Sequence, residues 1–315
     1  MEALKAAAEK SGYSTFRGES DLVEAIAQLH GVERDEVIVI PGGKFGIAAS
    51  TYKSRVVGVI APYWPAYRLQ ASISGFKLVT VAETRLENRW EPREYKLSGI
   101  DTLVLNYPNN PTGALPRGAL RDLIGDSTSR GIRIVSDEVY RDLVYDGPEW
   151  SALDYGLDNT VVVYSFSKTF SIPGYRIGYA VGDKEVIREI ARYVQAVYTS
   201  TPKPVQAAAL KALEIREDVI DRVKRIYMDR IAAFEKHSGG VLEFVRPAGS
   251  MYLFTRVKPP VDDVEFVYKL ADQGVGAFPG SAFGDRYKGF LRLTLTVEPH
   301  TVPEIIDAIR RAAES

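Results

Sequence analysis

Seven short runs of β-branched and aromatic residues, each followed by turn residues, constrain this chain more than any other feature. They are "VIVIPGG" near residue 37, "VVGVIAP" near 56, "KLVTVAE" near 77, "TLVLNYP" near 102, "IRIVSDE" near 132, "VVVYSFS" near 161 and "RIGYAVG" near 176. Most are apolar at successive positions rather than alternating, the mark of strands buried on both faces, as in a mainly parallel sheet covered by helices. Helix-like stretches such as "KFGIAASTYKS" and "PRGALRDLIGDSTSR" lie between them. The βα alternation predicts a doubly wound α/β architecture.

From Pro204 to about Lys236 the pattern becomes one long amphipathic helix, with Gly239 and Gly240 after its end. The remainder mixes alternating strands with helices and predicts a smaller α+β unit. The expected division is a large domain over 13–225, a small one over 226–315, and a short helix or arm over 1–12. A chain of 315 residues buries a substantial core without staples. Having no cysteine, it has neither a thiol nucleophile nor a cysteine-ligated metal, and a reducing compartment, the cytoplasm, is expected. Forty Lys and Arg against 41 Asp and Glu leave a net charge of -1, which gives no electrostatic case for nucleic acid or anionic membrane. The expected partner is a small molecule. The N-terminal "MEALKAAAEKSGYSTF" lacks the apolar core of a secretion signal, and no run approaches the roughly 20 apolar residues of a membrane span.

In an open α/β sheet ligands bind beyond the carboxyl ends of the strands, and polar residues gather there. Gly42-Gly43 ends a strand and begins a helix, which is either a tight turn or a phosphate cradle of free N–H groups. Asn110 in "NYPNNPTG" is either part of an Asx turn or an amide offered to a ligand oxygen. Asp137 and Tyr140 in "SDEVY" follow a buried strand, so the carboxylate must cap a helix, be solvated or have a cationic partner. Lys168, in "SFSKTFSIPGYRIGY", stands at the mouth of another buried strand, where an ammonium is costly unless it snorkels to water. With Arg176, these groups together would suit a phosphorylated aromatic aldehyde whose ring nitrogen must stay protonated.

The motifs "NYPNNPTG", "SDEVY", "SFSKTFSIPGYRIGY" and "GFLRLT" occur in this order and spacing in the class I/II pyridoxal-phosphate-dependent aminotransferases of fold type I, which the sequence closely resembles from about Tyr13 onward. The resemblance implies a large domain with a mainly parallel seven-stranded sheet, a smaller C-terminal α+β domain, pyridoxal 5'-phosphate as cofactor and a homodimer with shared sites. It implies that Lys168 bonds to the cofactor aldehyde and moves the proton at the substrate Cα, that Asp137 pairs with the ring nitrogen, and that Tyr140 and Asn110 bond the ring oxygen. Trp64 resembles the aromatic that stacks on the ring, its alternative being core packing. Gly43, Lys44 (backbone), Ser165 and Arg176 resemble the phosphate cradle, and Tyr13 a tyrosine that reaches the neighbouring subunit's phosphate. Arg292 resembles the arginine that grips the substrate α-carboxylate with Asn110.

By position alone, Arg17 and Arg68 are candidates to read a distal carboxylate. His30, His237 and His300 match no catalytic position and are expected to be structural. Family members carry a longer segment ahead of the tyrosine matched by Tyr13, and it covers the site. The implied reaction is ping-pong transfer of an amino group from an L-amino acid to a 2-oxo acid, of the aspartate or aromatic type. The alternatives are a histidinol-phosphate aminotransferase, a pyridoxal-phosphate lyase or decarboxylase, and a non-catalytic effector-binding module on the same fold.

Overall fold

Buried apolar runs become strands wherever turn residues bound them. The computed structural model describes residues 2–314. Strands β1 (Val37–Ile40), β2 (Val56–Ala61), β3 (Lys77–Glu83), β4 (Thr102–Asn106), β5 (Arg133–Asp137), β6 (Thr160–Ser165) and β7 (Gly178–Gly182) form one seven-stranded sheet in the order β1-β7-β6-β5-β4-β2-β3. The pairs from β3 through β6 are parallel, while β7 runs antiparallel to both β6 and β1. After β6 the chain turns back at the sheet's carboxyl edge instead of crossing a face, and a return of that kind gives an antiparallel neighbour.

Alternate strand residues feed two cores, as the period of two demands. Val37, Val39, Leu103, Leu105, Ile134 and Val162 pack with helices α2 (Ser20–His30) and α5 (Arg117–Ser129). Ile38, Ile40, Val104, Val135, Val161 and Val163 belong to the opposite core, with α3 (Gly43–Thr51), α4 (Ala66–Ser74) and α7 (Lys184–Val197). Each such side chain contributes about 1.5–3 kcal/mol by leaving water. α7 begins at Asp183, whose carboxylate accepts from the N–H groups of Glu185 and Val186. At the N-terminus the short α1 (Glu2–Ala6) precedes the sheet, and α6 (Phe166–Thr169) is a single turn directly after β6.

The expected single helix over 204–236 is instead two, α8 (Lys203–Glu214) and α9 (Arg216–His237), broken at Ile215. No glycine or proline marks the break. Its cause is tertiary: Arg216 turns inward, 8% exposed, to meet Asp142 and Glu149. α9 continues into a third core beneath a four-stranded sheet ordered β10-β11-β9-β8, made of β8 (Leu242–Glu243), β9 (Tyr252–Val257), β10 (Phe278–Pro279) and β11 (Phe290–Thr294). Its pairings are all antiparallel, and helices α10 (Asp263–Asp272) and α11 (Val302–Glu314) complete that core. Aromatic contacts join the two sheets, with Trp90 5.5 Å from Phe254 and 5.7 Å from Phe290 between ring centroids. Among the described residues no helix is long and apolar enough to cross a membrane.

Candidate active site

Strand register brings the polar ends together. Asn106 ends β4 opposite Asp137, which ends β5, and Asp137 in turn lies opposite Val163 of β6, two residues before Ser165. All three strands therefore finish on one edge, and the turns beyond them enclose a cavity of about 460 Å³. Gly43, Lys44, Trp64, Asn110, Asp137, Tyr140, Ser165, Lys168 and Arg176 all line it. Nine of the expected positions meet in one space.

Asp137 is 3% exposed, and its two oxygens differ. Oδ2 accepts from the Tyr67 hydroxyl at 2.7 Å, whereas Oδ1 is buried without any hydrogen-bond partner. Burial pushes the carboxyl up to about 6, against the lowering influences of Tyr67, the Val139 N–H and the Lys168 charge. An acceptor left bare in an interior costs free energy and calls for an explanation. Here a cationic N–H ligand in the cavity would supply it. Asn106 holds the same segment by donating to the Asp137 carbonyl at 3.0 Å, and its Oδ1 accepts from the Asn110 N–H at 3.0 Å.

Arg292 of β11 is not among the residues lining this cavity, but its Nη1 donates at 3.0 Å to Oδ1 of Asn110, which is. Arg292 is 8% exposed, Nε has no partner, and among the described residues no acid stands within salt-bridge distance. Three rings surround it instead: Tyr252 at 4.3 Å, Phe278 at 4.4 Å and Phe283 at 5.1 Å from the guanidinium carbon. Burial lowers its pKa, yet a guanidinium stays charged, so the site holds a cation ready for a carboxylate. Tyr252 also bonds Tyr140, hydroxyl to hydroxyl, at 3.1 Å. Burial and that neighbour push the Tyr140 phenol upward, keeping it a proton donor.

At the opposite end, Gly42, with φ 90°, is the N-cap of α3, whose first residues Gly43 and Lys44 line the cavity. A Cβ at Gly42 would fall 2.8 Å from Arg176 Nη2, which shows how closely that guanidinium lies against the turn. Ser165 is the N-cap of α6, its hydroxyl accepting from the Ser167 N–H. Lys168, on that single turn, holds Nζ 5.8 Å from the Tyr140 ring centroid. Lys44 Nζ stands 5.2 Å from the Trp64 ring, with no acid within salt-bridge distance among the described residues.

Other residues lie outside the cavity. Tyr13, expected to act in the neighbouring subunit's site, is 85% exposed and does not line this chain's own cavity. Arg17 donates to the Asp35 carbonyl, and Arg68 lies over Tyr63 and donates to its hydroxyl, so neither candidate lines the site. His30 is held between Tyr179 and Arg141, and burial lowers its pKa to about 3, so it stays neutral. His237 lies in the last turn of α9, and His300 is exposed; neither lines the cavity. Tyr67, Asn106 and Tyr252 are site residues that sequence reasoning missed. Tyr67 had a signal, its spacing of three from Trp64 at the start of a helix; Tyr252 had none, because only the second sheet carries it in.

Tyr67→Phe is expected to drive the Asp137 carboxyl higher still, at a cost to its ionised form of about 1.5 kcal/mol. Carboxyl-carbon NMR of the apoprotein reads this directly. An unchanged Asp137 titration would show that the hydroxyl contributes nothing.

Comparison with known proteins converges on one family. The chain is 39% identical over 288 residues to an aspartate aminotransferase of Thermococcus kodakarensis, covering 91% of this chain and 77% of that protein. An aspartate aminotransferase of Thermotoga maritima is 32% identical over 317 residues, covering 94% and 82%. The solved aspartate aminotransferase of Thermus thermophilus with maleate superposes with a TM-score of 0.92 at 29% identity, covering 99% of this chain and 87% of that one. The family model for aminotransferase class I and II matches residues 1–309, and the chain belongs to that family of pyridoxal-phosphate-dependent transaminases of fold type I.

Proposed function

We propose that this aminotransferase moves the amino group of a dicarboxylic L-amino acid of the aspartate type to a 2-oxo acid, with the residues of the cavity in the following roles. Pyridoxal phosphate, when bound, supplies an aldehyde carbon that takes the amino group and a protonated ring that withdraws electrons. Lys168 carries the cofactor and moves the proton at the substrate Cα. Asp137 Oδ1, bare in the interior, takes the ring N–H. Tyr140 and Asn110 bond the ring oxygen, Trp64 covers the ring face, and the α3 N-terminus at Gly43 and Lys44, with Ser165 and Arg176, holds the phosphate. Arg292 and Asn110 grip the α-carboxylate and so fix the Cα–H bond for proton removal.

One observation supports the reading: a buried carboxylate with a bare oxygen, Asp137, shares a cavity with Lys168 and Asn110, and Asn110 bonds a buried guanidinium, Arg292, that has no acid partner among the described residues. Each lacks what an amino acid and a protonated pyridine provide.

The dicarboxylic class is supported by the relatives named aspartate aminotransferases and by the Thermus enzyme solved with maleate, a dicarboxylate. In this chain Lys44, beside Trp64 and without an acid partner among the described residues, is suited to a distal carboxylate. Its side chain was not part of the sequence expectation, which used only its backbone. Single-turnover titration with a panel of amino acids, following the cofactor absorbance, tests the assignment. Aspartate and glutamate should react fastest, and Lys44→Met should weaken them about tenfold while leaving phenylalanine unchanged. Aromatic donors outrunning aspartate in the wild-type protein would sink the dicarboxylic class.

A homodimer with Tyr13 reaching the partner's phosphate, cytoplasmic residence, and a division into units over 13–225 and 226–315 belong to the same proposal. That division falls within α9, whose first residue binds the large sheet's segment through Asp142 and whose later residues Tyr227, Ile231 and Phe234 pack in the third core.

A further inference from the structure

Behind the Lys168 turn lies an ionic network that does not line the cavity. Thr169, the residue after Lys168, donates its hydroxyl to Asp142 Oδ2 at 2.8 Å. Arg216 Nη2 donates to Asp142 Oδ1 and to Glu149 Oε1, both at 2.6 Å. Glu149 Oε2 stands 3.3 Å from Arg141 Nε, an ionic contact rather than an aligned hydrogen bond. Arg141 Nη1 donates to the Tyr164 hydroxyl at 3.2 Å, which in turn donates to Glu138 Oε2 at 2.8 Å. Glu138 is the residue after Asp137. A continuous chain of side chains thus runs from the neighbour of the lysine to the neighbour of the carboxylate.

Both ends are interior, with Thr169 2% and Glu138 1% exposed, and Arg216 at the middle is 8% exposed. Buried charges of this kind are weak contributors to stability but strict about geometry, because breaking one partner strands the other. Arg216 enters the network at the break after α8, although nothing in residues 205–236 would end a helix locally.

We propose that Arg216 is a positioning residue: through Asp142 and Thr169 it fixes the turn that bears Lys168 against the segment that bears Asp137 and Tyr140. The amine and the carboxylate then hold opposite edges of one ring at a set separation. The inference rests on the roles given above to Lys168 and Asp137. Without this clamp, the α6 turn is a single helical turn free to shift by the fraction of an ångström that proton transfer at Cα does not tolerate.

The test uses the holoenzyme and three variants, Thr169→Val, Arg216→Lys and Arg216→Met. Thr169→Val removes one hydroxyl and no charge. It should lower kcat about tenfold, and Arg216→Met about a hundredfold, with KM changed less than about twofold. The pH midpoint of the bound cofactor's absorbance band should move by about 0.3 or more in both, and Arg216→Lys should recover part of each effect. Unchanged kcat and midpoint in Thr169→Val and Arg216→Lys, even with a lowered Tm, would assign the network to stability alone and overturn the proposal. Those two variants decide the matter if Arg216→Met does not fold. A wild-type protein that takes up no pyridoxal phosphate is a distinct result, which sinks the site assignment instead.

Discussion

Lys168→Ala is expected to lower amino-transfer turnover by about five orders of magnitude and to abolish covalent retention of the cofactor. The amine does two jobs from one position, attachment and proton movement at Cα, and a methyl group does neither. Its place is set by strand β6 and the α6 turn, where Nζ lies beside the Tyr140 ring and its charge is felt by the Asp137 carboxylate. The fold should survive, since the side chain is only half-buried and donates no structural hydrogen bond among those described. Borohydride reduction followed by intact mass reads attachment: the wild-type protein gains the mass of the cofactor and the variant does not. Retained multiple turnover in Lys168→Ala would refute the assignment.

Asp137→Asn is expected to cost about a thousandfold in kcat while stabilising the apoprotein at neutral pH. The two effects share one cause. The carboxyl, ordinarily near 3.8, is pushed up to about 6 by burial. Between those values the folded protein keeps a proton that the unfolded chain has lost, so stability falls as pH rises through this window. Above about pH 6 the full cost of the buried charge is present, about 3 kcal/mol. Asparagine carries no such cost and retains an oxygen for the Tyr67 hydroxyl. Urea unfolding of both apoproteins should therefore show a stability difference in favour of the variant that grows from pH 4 to pH 7. Loading the cofactor should remove that advantage, because a cationic ring nitrogen gives the aspartate its missing partner. A stability difference that does not change with pH, or a kcat within tenfold of wild type, would contradict the pairing.

Most strands were legible because burial on both faces leaves a trace: β1, β4 and β7 are buried at every residue, and polar side chains enter only at the ends of β4. The carboxyl-end residues were legible on other grounds. Taken singly, Asp137, Asn110 and Lys168 also fit a cap, a turn and a snorkelling side chain, and their roles were legible only through the motifs shared with the aminotransferase family. Tyr67 left only its spacing from Trp64 as a signal and Tyr252 left none, because each looks like an ordinary aromatic and acquires its role from what it touches, Asp137 in one case and Tyr140 and Arg292 in the other. The reversal of β7 was equally silent, since antiparallel and parallel strands buried on both faces have the same composition.

By itself the sequence determined the α/β architecture and the residues that end its strands, because burial periodicity and the shared motifs are local properties written along the chain. Tertiary structure alone decided that α8 and α9 part at Ile215, that Arg292 stands unpaired beside Asn110, and that one oxygen of Asp137 is left bare. The first two depend on partners 74 and 182 residues away in the chain, and no window of sequence carries the energy of a contact between groups so distant.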